Sequence, residues 1–474
     1  MTTPARDDHA SVSARALDDY APIVGADTIE ELRLLARPLV GRRVKMINST
    51  KVGGGVAEIL QRLVPMLNAL GIRLKWEVMY GDTDFFEVTK QFHNAIHGGE
   101  YTLGEQGFDV FRRYARRNAE ILSFDDDEIV VIHDPQPVAL IEQRKPGQRW
   151  IWRCHIDSSN PHQQVWEFLR PWIEQYDAAI FSAGQFARKL PIPQFLFYPS
   201  IDPLSEKNRE LSEADVRGVL ERLRIPSDKP IVTQVSRFDR LKDPVGVIRA
   251  FQIVHRYVPC RLVLAGGGAD DDPEGAAVLA EVRAAAGDDP DVHIVVLPPD
   301  ANFEINALQR ASAIIVQKSL REGFGLTVAE GLWKNKPVIA GAVGGIPEQI
   351  IHNVTGKLVH SVDGCAYQMR QLLSDPNQAK TLGHYGHERV KEEFLITSNL
   401  RRWLVLMNLV GKTDDIVRLA PRGTDGNEAR DASIQTGSSN DGRGSTDSRS
   451  ANDSRSANAS SSASEAGNPE RRGR

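Results

Sequence analysis

Glu322 and Glu330, separated by seven residues, bracket the glycines of Ser319-Leu-Arg-Glu-Gly-Phe-Gly-Leu-Thr-Val-Ala-Glu330. The apolar run before them, Ala313-Ile-Ile-Val-Gln317, has the length and β-branching of a buried parallel strand. The helical pattern after them breaks at Asn335-Lys336-Pro337. Arg321 to Gly325 is therefore a strand-to-helix loop at the carboxyl edge of a sheet, where open α/β folds bind ligands. Gly323 and Gly325, on either side of Phe324, let the backbone approach a ligand closely. A helix starting near Leu326 or Thr327 turns free N–H groups and partial positive charge into the loop, which makes an anion site, most simply for a phosphate. Carboxylates repel phosphate, so Glu322 and Glu330 suit the vicinal hydroxyls of a sugar, because a carboxylate accepts two hydrogen bonds from a diol. Phosphate and diol together describe a nucleotide-sugar pocket. A capped helix with acidic residues favoured by its dipole is the plainer alternative.

Other chemistry-bearing residues recur at strand ends. Val44-Lys-Met-Ile-Asn48 reads as a strand, followed by Gly53-Gly-Gly55 and a helix from Val56 to Leu70. Gly54 and Gly55 would let backbone press on a phosphate or sugar, or simply make a tight turn; contiguous glycines are not the dinucleotide fingerprint. Glu128-Ile-Val-Val-Ile-His133 and Arg149-Trp-Ile-Trp-Arg-Cys154 end in polar residues, which places His133, Asp134, Arg153 and His155 where α/β sites are built. A structural role for such a histidine is the alternative. Ile231-Val-Thr-Gln-Val-Ser236 opens a second series of strands, and Arg237 and Lys242 follow it directly. A guanidinium grips two phosphate oxygens and an ammonium acts as a point charge; a solvated basic face is the competing reading.

These stretches carry a resemblance. Glu322-Gly-Phe-Gly-Leu-Thr-Val-Ala-Glu330 resembles the Glu-x7-Glu signature of retaining glycosyltransferases of family 4, which have the GT-B fold. Asn48-Ser-Thr-Lys-Val-Gly-Gly-Gly-Val-Ala-Glu-Ile59, His133-Asp-Pro-Gln-Pro137, Trp150-Ile-Trp-Arg-Cys-His-Ile-Asp157 and Ala342-Val-Gly-Gly-Ile346 narrow it to the trehalose glycosyltransferring synthases, over roughly residues 20 to 410. The resemblance implies transfer of glucose from a nucleoside-diphosphate glucose, a co-substrate and not a bound cofactor, to free glucose. The anomeric configuration would be retained, and the reaction could be reversible. It implies donor contacts from Gly54, Gly55, Arg237, Lys242 and the residues from Glu322 to Glu330, and acceptor contacts from His133, Asp134, Arg153 and His155. His155, Arg237, Lys242 and Glu322 would bear on the chemistry. GT-B enzymes generally hold the leaving charge with basic residues and not with a metal, so no divalent cation is expected. Of the two acidic runs, Asp125-Asp-Asp127 precedes a strand at the wrong edge, whereas Asp270-Asp-Asp272 follows one. The rivals are a trehalose phosphorylase, another nucleotide-sugar glycosyltransferase of family 4, a nucleotide-sugar epimerase and a non-catalytic sugar-binding regulator.

Alternating strands and helices imply an α/β chain with parallel, doubly wound sheets, and GT-B implies two Rossmann-like domains with a cleft between them. The expected organisation is a loose start over 1–20, an acceptor domain over 21–215 and a nucleotide-sugar domain over 216–395. A helix over 396–411 crosses back, and a disordered tail covers 412–474. The tail contains Asp447-Ser-Arg-Ser-Ala-Asn452 repeated at once, and too few apolar residues to offset an ordering cost of roughly 1–2 kcal/mol per residue. A net charge of −5 argues against a dedicated nucleic-acid binder. Three scattered cysteines, no apolar leader and no run of ~20 apolar residues point to a cytoplasmic protein without a membrane partner. A homodimer stays open.

Overall fold

The structure is a computed structural model and describes residues 17–51, 54–267 and 273–410. Gly53, Asp270-Asp-Asp272 and the 412–474 tail lie outside the described residues. So does most of the expected loose start. Its end, Leu17–Tyr20, is instead a 3-10 turn: both of these residues are buried, and the Tyr20 hydroxyl donates to Asp202 Oδ1 at 3.1 Å.

Two six-stranded sheets form, and every pairing in both is parallel. The first contains β1 (Arg43–Asn48), β2 (Arg73–Val78), β3 (Ile129–His133), β4 (Arg149–Arg153), β5 (Ala178–Phe181) and β6 (Gln194–Leu196), in the order β2-β1-β3-β4-β5-β6. The second contains β7 (Ile231–Val235), β8 (Arg261–Gly267), β9 (Val292–Leu297), β10 (Ile314–Gln317), β11 (Val338–Gly341) and β12 (Lys357–Val359), in the order β12-β11-β10-β7-β8-β9. Chain order reverses between β1 and β3 in the first sheet and between β7 and β10 in the second. Neighbouring loops leave in opposite directions at such points and open a crevice at the carboxyl ends of the strands.

Both faces of each sheet are covered, so central strands such as β3, β7 and β10 are buried along their whole length. On β4, Trp150 and Trp152 pack among the aromatic residues of one face, including Phe92 and Phe111, while Ile151 faces Leu400 and Trp403 on the other. Leu400 and Trp403 belong to the helix Ile396–Val410, which leaves the second sheet and packs on the first. Asn399 Nδ2 donates to the Tyr198 carbonyl and Asn408 Nδ2 to that of Leu35, both at 2.9 Å. The two crossings between the sheets run side by side: Ile201 N–H donates to Phe394 O, and Ile396 N–H donates to Ile201 O. They meet in one isolated parallel bridge between Ile201 and Leu395.

The expected boundary at 215/216 falls inside a helix, Glu213–Arg222. Ser212 and Asp215 cap it reciprocally, and Leu220 packs with Ile231, Val263 and Leu308 of the second sheet. The second domain therefore begins before Glu213.

Candidate functional site

The carboxyl edges of both sheets face one cleft of about 960 Å³. Its second-domain wall comes from the switch point. Arg237 and Lys242 follow β7, and the Glu322 loop follows β10. Lys242 Nζ lies 2.6 Å from Glu322 Oε2, and the Ser319 hydroxyl donates to the same oxygen at 3.1 Å. Gln234 Nε2 donates to the Lys242 carbonyl at 2.8 Å and fixes that loop from β7. Arg237 is largely exposed and pairs with Asp239 at 3.2 Å. The helix Leu326–Trp333 starts from Gly325, which is left-handed (φ 78°) and supplies no side-chain cap. Its first turn, at Leu326 and Thr327, lines the cleft and turns the N-terminal end of the helix toward it.

A neighbouring loop explains the Ala342-Val-Gly-Gly-Ile346 block. Gly344 has φ +55°, and a Cβ on it would sit 1.6 Å from the Glu322 carbonyl oxygen. Gly345 N–H donates to Gly323 O at 2.7 Å. Two glycines thus let one loop lie directly under the other and set its height in the cleft.

Glu330 is buried. Gln309 Nε2 donates to its Oε2 at 3.3 Å, and Lys207 Nζ lies 3.4 Å from its Oε1. Lys207 comes from the segment that joins the domains and is also 3.8 Å from Glu58, on the first-domain helix Gly54–Ala69. Sequence reading missed Lys207, because a lysine in an irregular connection carries no periodic or motif signal.

On the first-domain wall, Gly55, Asp134 and His155 line the cleft. Asp134 adopts φ 65° just after β3, and its Oδ1 accepts the His155 N–H at 2.7 Å. Burial raises its carboxyl pKa to about 6, partly opposed by that hydrogen bond and by Arg153. The His155 imidazole is driven well below its ordinary range, first by burial, then by Arg153 and His133. Among the described residues, His133 and Arg153, expected as acceptor contacts, do not line this cleft. His133 is 1% exposed and stands behind His155. Arg153 is buried, with Nη2 donating to Ser182 Oγ at 3.1 Å and to the Phe197 carbonyl at 2.7 Å. In-register side chains at the end of a fully covered sheet lie in the layer beneath the edge, not on it. Their place in the wall is taken by His93 and His97 from the helix Thr83–Ile96 and its C-cap. Their signal was present as two histidines four residues apart, which share a helix face. Burial lowers the His97 pKa, and its carbonyl accepts from Arg321 Nη1 of the opposite domain at 3.3 Å.

Beyond Leu297 the cleft is walled by Pro298, Pro299 and Ile305, with the backbone of Gly266 and Gly267 beside them. Asp127, of the first acidic run, lies at the far edge of the sheet, 3.0 Å from Lys45.

Comparison with known proteins agrees with this arrangement. Residues 46–188 match the family described as "Trehalose synthase, N-terminal domain", and residues 219–389 match "Glycosyl transferases group 1". A trehalose synthase of Pyrococcus horikoshii is 42% identical over 410 residues, covering 85% of this chain and 98% of that protein. One of Rubrobacter xylanophilus is 42% identical over 397 residues, covering 82% and 95%. Among solved structures, the sucrose-phosphate synthase of Thermosynechococcus elongatus superposes with a TM-score of 0.61 at 19% identity, covering 78% of this chain and 99% of that one. At that identity the likeness shows the fold, which is GT-B.

Proposed function

The chain belongs to the trehalose synthase family of glycosyltransferases, and from that premise we propose that it joins glucose from a nucleoside-diphosphate glucose to free glucose, forming trehalose with retention at the transferred carbon. Trehalose-related glycosyl transfer comes with the family. The donor, acceptor and stereochemistry are our reading.

One observation carries it: the cations and carboxylates of the second domain face Asp134 and His155 of the first across a single cleft. The diphosphate lies against Arg237, Lys242 and the start of the helix at Leu326, where donors preorganised for negative charge stabilise the leaving group. The ribose diol takes Glu330, and the hexose hydroxyls take Glu322. The acceptor lies on the Asp134 and His155 side. As the bond from C1 to the phosphate oxygen breaks, its electron pair passes to that oxygen. The acceptor hydroxyl forms the new bond to C1 from the same face and releases its proton to the departing phosphate. The reverse reaction follows the same path. No metal enters this scheme, because Arg237 and Lys242 supply the positive charge.

The test offers adenosine, guanosine and uridine diphosphate glucose in turn, each with glucose, and identifies the product by chromatography and anomeric NMR. Trehalose, and a free nucleoside diphosphate in equal amount, is expected with at least one donor, with EDTA present or absent. Trehalose cleavage that needs inorganic phosphate and no nucleotide would instead establish a phosphorylase. Loss of activity in EDTA, restored by magnesium, would overturn the metal-free scheme.

A further inference from the structure

His133 and His155 meet behind the first-domain wall. Their rings are inclined by only 17° with centroids 5.3 Å apart, and His133 Nδ1 lies 3.0 Å from His155 Nε2. Two imidazole nitrogens at that distance share one proton, so one donates and the other accepts. The surroundings of His133 decide which. Its ring is 6.2 Å from that of Trp403 on the returning helix, and its Nε2 is buried with no partner among the described residues. A proton on Nε2 would strand a buried N–H, which native interiors rarely tolerate. A proton on both nitrogens would bury a cation, and burial together with the Arg153 guanidinium pushes the pKa of His133 down to about 3. His133 therefore carries its single proton on Nδ1 and donates it to His155 Nε2. The proton of His155 is then on Nδ1.

We propose that His133 is a positioning residue that fixes His155 as a neutral Nδ1–H donor, so that the cleft meets the acceptor sugar with a hydrogen-bond donor and not with a base. The proposal rests on the transferase reading for the identity of the sugar, but not for the tautomer. The backbone holds the ring from the other side: Asp134 accepts the His155 N–H, and Trp152 Nε1 donates to the Asp134 carbonyl at 3.0 Å. A partner that sets the tautomer and orientation of a functional imidazole is worth 10–100-fold, roughly, where such pairs hold metal ligands. The same geometric logic applies here to a donated hydrogen bond. His155 then takes no proton during transfer.

The experiment labels the histidines of the full chain with ¹⁵N and reads the ring nitrogens of the ligand-free protein, with His155 assigned from the spectrum of His155→Gln. His155 is expected with Nδ1 protonated and Nε2 bare, unchanged between pH ~5.5 and ~8. An Nε2–H tautomer, or titration in that range, would overturn the proposal. Kinetics supply the second arm. His133→Asn places an amide N–H near the position of Nδ1, His133→Gln places one near Nε2, and His133→Leu has neither. The Leu and Gln variants should lose kcat by ~10-fold or more with donor KM unchanged, while Asn stays within ~3-fold of the parent. Equal losses in all three would mean that His133 only fills space. Because the spectra need no substrate, absence of trehalose formation would sink the transferase reading and leave the tautomer result standing.

Discussion

Lys242 Nζ sits 2.6 Å from Glu322 Oε2, so the cation assigned to the diphosphate already neutralises the carboxylate assigned to the hexose. The two cannot be treated as separate sites. When a donor enters, the ammonium must divide its hydrogen bonds between phosphate and carboxylate, and sugar hydroxyls must replace what Glu322 gives up. The Glu322 side chain is only 11% exposed, so removing its partner leaves a poorly solvated charge. Lys242→Ala is therefore expected to lower kcat/KM by ~10²-fold or more. Glu322→Gln should cost a similar amount, and the double variant should be clearly less damaging than the sum of the two. Steady-state kinetics on the three proteins checks this. Additive losses would show that the pair does not act as a unit.

Glu330 and Lys207 make the second coupled pair. Glu330 is expected to bind the ribose diol, so Glu330→Ala should weaken nucleoside diphosphate binding by ~1–3 kcal/mol. Lys207 is partly buried, and the adjacent Glu330 raises its pKa. It links the joining segment to Glu330 and, more distantly, to Glu58 of the opposite domain. Lys207→Ala should then also weaken the nucleotide, while Glu58→Gln has a smaller effect, as a partner at 3.8 Å contributes little. Calorimetry with the free nucleotide separates these outcomes. Unchanged affinity in Glu330→Ala would remove that residue from the ribose.

The legible parts of this chain were those written in local pattern. β3 and β10 stood out because a strand covered on both faces must be an unbroken apolar run. The Glu322 loop stood out because glycine after such a strand has few other uses. What stayed hidden depends on contacts between distant segments. Nothing local distinguishes Arg153, buried under Phe197, from a residue that reaches the cleft. Lys207 has meaning only once Glu330 and Glu58 are brought beside it. The boundary at 215/216 fell inside a helix because the apolar partners of Leu220, Val263 and Leu308, lie far along the chain.

Asp134 contributes a pH dependence of its own, separable from that of the buried histidines by comparing parent and variant. Burial raises its folded pKa to about 6, above the ordinary 3.8, so the folded state holds this proton more tightly than the unfolded chain does. The unfolded state therefore loses the proton first as pH rises. The contribution to stability is greatest below 3.8, falls between 3.8 and about 6, and is constant above. Asp134→Asn retains an oxygen for the His155 N–H and cannot ionise. The difference in melting temperature, parent minus variant, is thus expected to fall across that interval and to flatten beyond it. Thermal unfolding in a series of buffers measures it. A difference that stays level, or rises, would mean that the carboxylate is stabilised where it lies.

Two glycines of the same loop pair test whether glycine serves the fold or the ligand. At Gly344 a Cβ would lie 1.6 Å from the Glu322 carbonyl oxygen, and the φ of +55° is itself unfavourable for alanine. Gly344→Ala must push the Glu322 loop away, since the obstacle is backbone and not a movable side chain. It should lower the melting temperature and, by shifting Glu322 away from Lys242, raise donor KM and depress kcat. At Gly323 the added Cβ meets nothing within 4 Å. Gly323→Ala should therefore unfold at the temperature of the parent protein. If the donor packs against that bare backbone, as the anion-site reading requires, KM for the nucleotide sugar should still rise several-fold while kcat changes less. Melting curves and kinetics on the two variants separate the roles. A Gly323 variant with normal KM would place the donor elsewhere in the cleft, and a Gly344 variant with the parent's stability would contradict the tight stacking of the two loops.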